Sequence, residues 1–243
     1  MKTTNNNTIL ITGGTSGIGK ELARILNLKG STVIITGRNE KVLNELSKEG
    51  IITYKCDITN SADIDSLLLK LEQEHPGLNI LINNAGVQYN YSMLNDTAYH
   101  ETIKNEIDCN FTGHVLLTSR LLSLLLSNAN PVIANVTSAL AVTPKENAIV
   151  YSATKSAFKS FTIGLRYQLE ETNVRVTEII PPVVDTNMTS GRATDKIPAG
   201  EMAELIAGEL WSGKEVITVS KIKKMTLIYR FFPRLISKII RKS

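Results

Sequence analysis

The chain has 243 residues, and 27 Lys and Arg against 23 Asp and Glu give it a formal net charge of +4. Eight of the basic residues and none of the acidic ones fall in residues 221–243, so residues 1–220 carry a net charge of −4. This distribution excludes a generally basic nucleic-acid-binding body, and we expect no nucleic-acid partner. A hydrophobic content of 42% excludes a disordered chain, and the length suits one α/β domain.

The cellular setting follows from what the sequence does not contain. Two cysteines, Cys56 and Cys109, are too few for a disulfide framework and are predicted to be buried thiols in a reducing compartment. No apolar run approaches the ~20 residues that span a bilayer, and we see no signal peptide. The histidines lack metal-ligand spacing, so no metal site is predicted. We therefore expect a cytoplasmic protein, attached at most peripherally to the inner face of the membrane.

Apolar strand-like runs alternate with helical segments along the chain. The sequence predicts seven strands, at Thr8–Thr12, Thr32–Thr36, Ile51–Lys55, Ile80–Asn83, Val132–Thr137, Val174–Ile180 and Glu215–Val219. It predicts helices at Gly17–Lys29, Glu40–Lys48, Ser61–His75, about Thr97–Ser127, Tyr151–Glu171 and near Glu201–Trp211. Because the strands are nearly continuous in Val, Ile and Leu, both faces of the sheet should be buried. The predicted fold class is α/β, a single Rossmann-type doubly wound parallel sheet of about seven strands with helices on both faces.

A glycine-rich turn follows the first predicted strand and leads into the first helix. A tight turn needs positive φ, and a pyrophosphate can approach the backbone only where there is no Cβ. The helix N-terminus behind the turn offers free N–H groups and a partial positive charge to phosphates. An ordinary glycine-rich turn is the alternative. The residues predicted to bind a dinucleotide here are Gly13, Thr15, Ser16, Gly17, Ile18 and Gly19.

Three further strand ends carry residues that suit the same ligand. Arg38 follows the second strand where an adenosine ribose is expected, and its planar cation suits a 2′-phosphate. This favours NADP(H) as the cofactor, with NAD(H) as the other candidate and a solvated surface arginine as the alternative. The third and fourth strands end in residues that fit the cofactor or are ordinary turn residues, namely Asp57, Ile58, Asn84, Ala85 and Gly86.

Tyr151 and Lys155 lie four residues apart on a predicted helix and therefore share one face. A free phenol has a pKa of about 10, which is too high for an efficient base at neutral pH. A neighbouring ammonium and an oxidised nicotinamide favour the phenolate and lower this pKa. Tyr151 can then exchange a proton with an alcohol or carbonyl. Ser138, just past the fifth strand, can donate a hydrogen bond to the oxygen on which charge develops.

Together, the glycine-rich turn, Asn83–Gly86, Asn110, Ser138 and the Tyr151-Lys155 pair resemble the classical short-chain dehydrogenase/reductase (SDR) family. The resemblance extends over nearly the whole chain up to Ser220. Within the family, residues 165–169, 181–188 and 213–215 are similar to the DltE-type oxidoreductases. The family resemblance implies hydride transfer between a nicotinamide cofactor and a small-molecule carbonyl or secondary alcohol. The alternatives are a non-catalytic, nucleotide-binding regulatory or scaffold protein on the same fold and a protein that binds nucleic acid through its basic tail.

The resemblance also implies roles for single residues. Asn110 would hold a water in a proton relay, and Lys155 would bind the nicotinamide ribose as well as act on Tyr151. Val184 and Thr186 match residues that engage the nicotinamide carboxamide. Pro182 stands where the family commonly has glycine, so the corner there should differ in shape or rigidity. The family further implies a homodimer or homotetramer packed through the helices near 97–127 and 151–171.

The polar segment 187–199 is predicted to be a lid over the substrate, within an oxidoreductase domain of residues 1–220. Residues 221–243 form a basic amphipathic C-terminal tail, with its apolar and basic side chains on neighbouring sectors of a helix. Pro233 should end one helix and begin a second. Such a tail suits contact with an anionic membrane surface, docking on the protein over a subunit or substrate pocket, or a frayed end.

Overall fold

Runs of Val, Ile and Leu form the strands, because such residues pack well on a pleated surface that is covered on both sides. The computed structural model describes residues 7–94, 100–191 and 195–241. Its strands are β1 (Thr8–Thr12), β2 (Thr32–Gly37), β3 (Ile52–Lys55), β4 (Leu78–Asn83), β5 (Val132–Val136), β6 (Arg175–Ile180), β7 (Val184–Asp185), β8 (Ile197–Pro198) and β9 (Val216–Thr218). Seven of them form one sheet in the order β3-β2-β1-β4-β5-β6-β9, and β7 pairs with β8. Every pairing is parallel, which confirms the predicted sheet.

Helices cover both faces of the sheet, as the predicted fold class requires. One layer contains α1 (Gly17–Leu28), α2 (Glu40–Lys48) and α7 (Ala199–Glu209). The other contains α3 (Ser61–Glu74), α5 (Gly113–Leu126) and α6 (Ile149–Gln168). Alternate residues of β1 serve the two cores, Ile9 and Ile11 facing one layer and Leu10 the other. The chain therefore folds around two apolar layers with the sheet between them.

The long helix predicted over 97–127 is divided in the structure. Residues 97–99 lie outside the described residues, and α4 (His100–Ile107) is followed by a π-helical turn at Asp108–Thr112 before α5 begins. Gly113 lets the chain approach its neighbour here, since a Cβ on it would lie 2.3 Å from the Ile58 carbonyl oxygen. Single π-turns are frequent at functional sites, and this one contains Asn110. The bounds of the other helices and of the sheet strands differ from the prediction by at most three residues.

Two helices end the described chain, α8 (Ser220–Phe231) and α9 (Pro233–Ile240), and Pro233 begins the second as predicted. Ile222 and Ile236 are buried against the body. The Arg241 Nε atom lies 2.7 Å from Glu146 Oε2, and the Glu146 N–H donates to the Arg241 carbonyl oxygen at 3.1 Å. One face of the tail thus docks on the protein. Among the described residues, no helix combines the length and the apolar character that crossing a membrane requires.

Candidate active site

The glycine-rich turn between β1 and α1 needs glycine at two positions for both conformation and space. Gly13 has φ of +66° and Gly17 has φ of +52°, in the left-handed region that disfavours other residues. A Cβ on Gly13 would lie 2.7 Å from Ala85 Cα, and one on Gly17 would lie 2.9 Å from Thr186 Cγ2. The turn therefore packs directly against the corners that follow β4 and β6.

Asn84 ties this turn to the end of β4. The Asn84 and Ala85 N–H groups donate to Thr12 Oγ1 at 2.9 and 3.0 Å. Asn84 Nδ2 donates to the Thr12 and Gly13 carbonyl oxygens at 2.9 and 3.2 Å. Gly19 leaves room for this amide, since a Cβ there would lie 2.5 Å from Nδ2. Sequence reasoning placed Asn84 at the cofactor but missed that it holds the turn, and it included Thr12 in the glycine-rich motif without giving it a role.

A cavity of about 890 Å³ opens at the carboxyl ends of the parallel strands. This is the edge at which open α/β sheets bind ligands. Most of the predicted site residues line it, namely Gly13, Thr15, Ser16, Gly17, Ile18, Arg38, Asp57, Ile58, Asn84, Ala85, Gly86, Ser138, Tyr151, Lys155, Val184 and Thr186. Gly19 and Asn110 are buried beside the cavity rather than along its wall.

At one end of the cavity, Arg38 is paired with Asp57. The Arg38 Nη1 atom lies 3.5 Å from Asp57 Oδ2, and the arginine side chain is 59% exposed. The N–H and hydroxyl of Thr59 donate to Asp57 Oδ1 at 3.0 and 2.8 Å. Burial raises the pKa of Asp57, but the Thr59 hydrogen bonds and the charge of Arg38 outweigh it and leave the pKa below its usual value. An ionised Asp57 thus holds a largely exposed guanidinium at the rim.

Lys155 is a buried cation beneath Tyr151. Its Nζ atom donates to the Val136 carbonyl oxygen at 2.8 Å and lies 5.9 Å from the centre of the Tyr151 ring. Burial lowers the pKa of Lys155 to about 8, so the ammonium is the main form at neutral pH. A positive charge at such a buried position acts strongly on its neighbours, because little water screens it.

Ser138 follows β5 and caps the short 3₁₀ helix Ala139–Ala141. Its Oγ atom accepts a hydrogen bond from the Leu140 N–H at 3.1 Å. The hydroxyl still has a hydrogen to donate, since this capping bond uses only an oxygen lone pair. Ser138 can therefore cap the 3₁₀ helix and donate to a ligand oxygen in the cavity at the same time.

Asn110 supports the cavity wall from behind. Its Oδ1 accepts from the Val87 N–H at 2.8 Å, and its Nδ2 donates to the Val87 carbonyl oxygen at 2.8 Å and to Thr154 Oγ1 at 3.3 Å. The side chain thus holds the backbone of the segment after β4 and joins it to α6. The proton-relay role of Asn110 stays a prediction, and the structure adds this positioning role.

Three further buried titratable groups beside the cavity, His114, Cys56 and Cys109, are neutral at physiological pH. Burial and the charge of Lys155 lower the pKa of His114 to about 3, and its Nε2 atom lies 2.8 Å from the Ala85 carbonyl oxygen. Burial raises the pKa of Cys56 to about 12 and that of Cys109 to about 11. Within the described residues, no group of three or more His, Cys, Asp or Glu could hold a metal ion.

The side chain of Thr189 holds together the corner after β6, which contains the short strand β7. Thr189 Oγ1 donates to the Val184 carbonyl oxygen at 2.6 Å and accepts from the Thr186 N–H at 3.2 Å. Pro182 lines the cavity just before this corner. The corner forms the first part of the predicted lid, of which residues 192–194 lie outside the described residues.

The tail closes the far end of the cavity, which sequence reasoning left as one alternative among three. Ile222 and Met225 from α8 and Ile239 and Ile240 from α9 line the wall there. Lys221 is ion-paired with Asp195 of the predicted lid. The spacing of Ile222, Met225 and Tyr229, each three or four residues from the next, was the available signal for a docked apolar face.

Comparison with known proteins places the chain in a family. A family model described as short chain dehydrogenase matches residues 7–197. The chain therefore belongs to the short-chain dehydrogenase family of oxidoreductases, and the predicted family is confirmed. It is 38% identical over 232 residues to the "uncharacterized oxidoreductase DltE" of Bacillus subtilis (strain 168), covering 92% of this chain and 91% of that protein.

Two solved structures share the fold. A short chain dehydrogenase from Burkholderia cenocepacia J2315 in complex with NADP has a TM-score of 0.87 at 22% identity and covers 99% of each chain. A short chain dehydrogenase/reductase from Burkholderia phymatum in complex with NAD has a TM-score of 0.85 at 19% identity, covering 97% of this chain and 96% of that one. At these identities the likeness shows the fold alone.

Proposed function

We propose that this chain is an NADP-preferring oxidoreductase that interconverts a carbonyl compound and a secondary alcohol. The observation that carries the proposal is the meeting of Ser138, Tyr151 and Lys155 with the glycine-rich turn in one cavity. The solved structures of the same fold, one in complex with NADP and the other with NAD, support a nicotinamide cofactor without deciding between the two.

The residues at the cavity fit a dinucleotide. The turn at residues 13–19 leaves its backbone uncovered by Cβ atoms at Gly13 and Gly17 and presents the N-terminus of α1, so it would hold the pyrophosphate. Asp57 and Ile58 would flank the adenine, while Asn84, Ala85 and Gly86 would line the path across the sheet. Val184 and Thr186 would engage the carboxamide, and Lys155 the nicotinamide ribose.

Preference for NADP rests on Arg38. Its guanidinium has five N–H donors, of which the pairing with Asp57 uses few, and the side chain is more than half exposed at the rim. A 2′-phosphate is a dianion near neutral pH and suits a planar, bidentate cation. We assign the 2′-phosphate to Arg38 for this reason.

The bound nicotinamide supplies or accepts the hydride. Tyr151 gives a proton to the substrate oxygen in reduction and takes one in oxidation. Lys155 makes this transfer easier, because its buried positive charge favours the phenolate over the phenol. Ser138 donates a hydrogen bond to the same oxygen and stabilises the charge that develops on it. Asn110 holds the backbone at Val87 in place beside the catalytic side chains and would serve the proton relay.

We also propose the wider setting of the enzyme. Residues 1–220 would be the oxidoreductase unit, with a lid at about 187–199, in a cytoplasmic protein without a nucleic-acid partner. A homodimer or homotetramer is supported by an apolar groove of about 420 Å³ between α6 and the end of α4 with the π-turn that follows it, lined by Ile107, Phe111, Ile149, Val150, Ala153, Thr154 and Ala157. Light scattering of the purified chain measures that state.

The experiment for the activity is a panel of aldehydes and ketones tested with NADPH and with NADH. We expect substrate-dependent oxidation of NADPH and a lower kcat/KM with NADH. A scaffold protein on this fold, the alternative function, would bind the cofactor and oxidise it with none of the compounds. The intact set of Ser138, Tyr151 and Lys155 favours the enzyme, since binding alone does not need all three.

A further inference from the structure

The outer face of the tail helices concentrates the exposed apolar side chains of the protein. Of the 16 large hydrophobic residues that are exposed within the described ranges, six fall in a stretch of 13 residues at the end of the chain. These six are Leu227, Ile228, Phe231, Phe232, Leu235 and Ile239, and Phe231 and Phe232 are 67% and 62% exposed. Isolated exposed apolar residues are ordinary on a protein surface, whereas a contiguous group marks an interaction site.

The opposite face of the same helices is occupied. Ile222 and Ile236 are buried, and Met225, Tyr229 and Ile240 are half-buried against the body. Membrane contact and docking on the protein, which the sequence presented as alternatives, therefore concern different faces of the tail. Because the inner faces of α8 and α9 are packed on the body, the outer faces of the two helices are held side by side as one surface.

Positive charges surround the apolar group. Lys223, Lys224, Arg230, Arg234 and Lys238 are exposed on these helices, and residues 216–241 contain no Asp or Glu. The tail's ion pairs among described residues join Lys221 to Asp195 and Arg241 to Glu146, which leaves the five cations without a carboxylate partner in the described structure. Their charge is thus available to an anionic partner.

We propose that this outer face docks on an anionic membrane surface. Aromatic and aliphatic side chains enter the headgroup and acyl boundary while lysines and arginines attract the anionic lipid. A second copy of the chain fits less well, because a symmetric interface would place the same five cations against each other. Charge complementarity therefore favours a lipid surface as the occupant.

The docking surface continues into the rim of the cavity. Ile239 is 59% exposed and also lines the cavity wall, and Ile240 follows it along that wall. A membrane-docked protein would hold this rim at the headgroup region. A role of the membrane in supplying substrate to this cavity rests on the proposed function. Docking of the tail on the membrane does not depend on catalysis.

Co-sedimentation of the full chain with vesicles tests the proposal. We expect binding to phosphatidylcholine vesicles that contain phosphatidylglycerol, little binding to pure phosphatidylcholine, and weaker binding as salt is raised. The pair Arg230→Glu/Arg234→Glu should lower partitioning about ten-fold or more, since each cation near the surface contributes to attraction. The pair Phe231→Ser/Phe232→Ser should also lower vesicle partitioning about ten-fold or more, and this loss should be the same at every salt concentration.

Matched controls separate the tail from general charge and hydrophobicity. Lys41→Glu/Lys48→Glu changes the net charge by the same amount on α2, and Leu28→Ser removes an apolar side chain that is 86% exposed elsewhere. Both should partition like the unmodified chain. Unchanged melting temperature and NADPH affinity of the tail variants show that they fold.

Three results would overturn the proposal. The first is no binding of the unmodified chain to phosphatidylglycerol vesicles, and the second is equal losses in the tail variants and their controls. The third is a tail variant that changes the oligomeric state in solution while vesicle binding is kept, which would assign the face to a second copy.

Discussion

The ammonium of Lys155 donates a 2.8 Å hydrogen bond to the Val136 carbonyl oxygen and thereby ties the start of α6 to the end of β5. The strand end carries Ser138 two residues later, and the helix carries Tyr151 one turn earlier. A second buried bond, from Asn135 Nδ2 to Thr162 Oγ1 at 2.9 Å, joins the same strand and helix. The two bonds together hold the elements that supply the groups proposed to act on the substrate oxygen.

The lowered pKa of Lys155 predicts the pH dependence of cofactor binding. The ammonium persists below a pH of about 8 and is lost above it. The NADPH dissociation constant should therefore rise as the pH increases past about 8. His114, with a pKa of about 3, and Cys56 and Cys109, with pKa values of about 12 and 11, do not titrate there. Fluorescence titration between pH 6 and pH 10 measures the effect, and Lys155→Met should flatten it. A step that survives in Lys155→Met belongs to another group.

The same group affects stability. Because the pKa of Lys155 in the folded protein lies below the ordinary lysine value of 10.5, the unfolded chain binds more protons between pH of about 8 and 10.5. The contribution of Lys155 to the free energy of unfolding therefore rises with pH over that window and is constant below it. Urea unfolding of the protein and of Lys155→Met should differ in pH slope there, and parallel curves would contradict the shift.

Arg38 should select the cofactor. In Arg38→Ala we expect the NADPH dissociation constant to rise about 10- to 100-fold, since a charge-assisted bidentate contact to phosphate is lost, while NADH changes by about two-fold or less. Calorimetric titration of both cofactors measures this. Lys41→Ala, an exposed cation three residues away, is the control and should change neither. Equal losses of affinity for NADPH and NADH would show that Arg38 does not bind the 2′-phosphate.

Gly13 and Gly208 form a matched pair for the glycine-rich turn. Gly13→Ala must accept positive φ and a Cβ 2.7 Å from Ala85 Cα, so we expect a loss of about 2 kcal/mol or more in the free energy of unfolding, with weaker NADPH binding. Gly208 is an exposed residue of α7 with nothing within 4 Å of its Cβ position, and Gly208→Ala should be neutral or stabilising by up to about 1 kcal/mol. Chemical unfolding of both variants provides the comparison. Similar values for the two would show that the turn tolerates a side chain.

Ile236 should hold the tail on the body. It is 7% exposed, whereas its neighbour Leu235 is 54% exposed. We expect Ile236→Ala to cost about 2 kcal/mol in local stability and to speed hydrogen exchange across α8 and α9, since a buried side chain is removed. Leu235→Ala should change the exchange rates little. Equal protection in both variants would mean that the inner face contributes nothing to docking.

Much of the architecture could be predicted because its signals are local. An uninterrupted apolar run, such as Ile9, Leu10 and Ile11 in β1, indicates that both faces of the strand are buried, and glycines beside a strand end mark the nucleotide edge. The π-turn at Asn110 has no such local signal, since the sequence there continues the periodicity of a single helix. The bonds from Asn110 to Val87 and from Arg241 to Glu146 join residues far apart in sequence, so periodicity could not reveal them.

The Tyr151→Phe variant shows whether Tyr151 is the group that exchanges a proton with the substrate. NADPH-dependent carbonyl reduction and the NADPH dissociation constant are measured together in this variant and in Tyr167→Phe, a 70% exposed tyrosine of the same helix. We expect Tyr151→Phe to lower kcat about 10²- to 10⁴-fold, because the proton donor is lost, and to leave cofactor affinity within about two-fold. Tyr167→Phe should keep full activity. Undiminished turnover in Tyr151→Phe would contradict the mechanism.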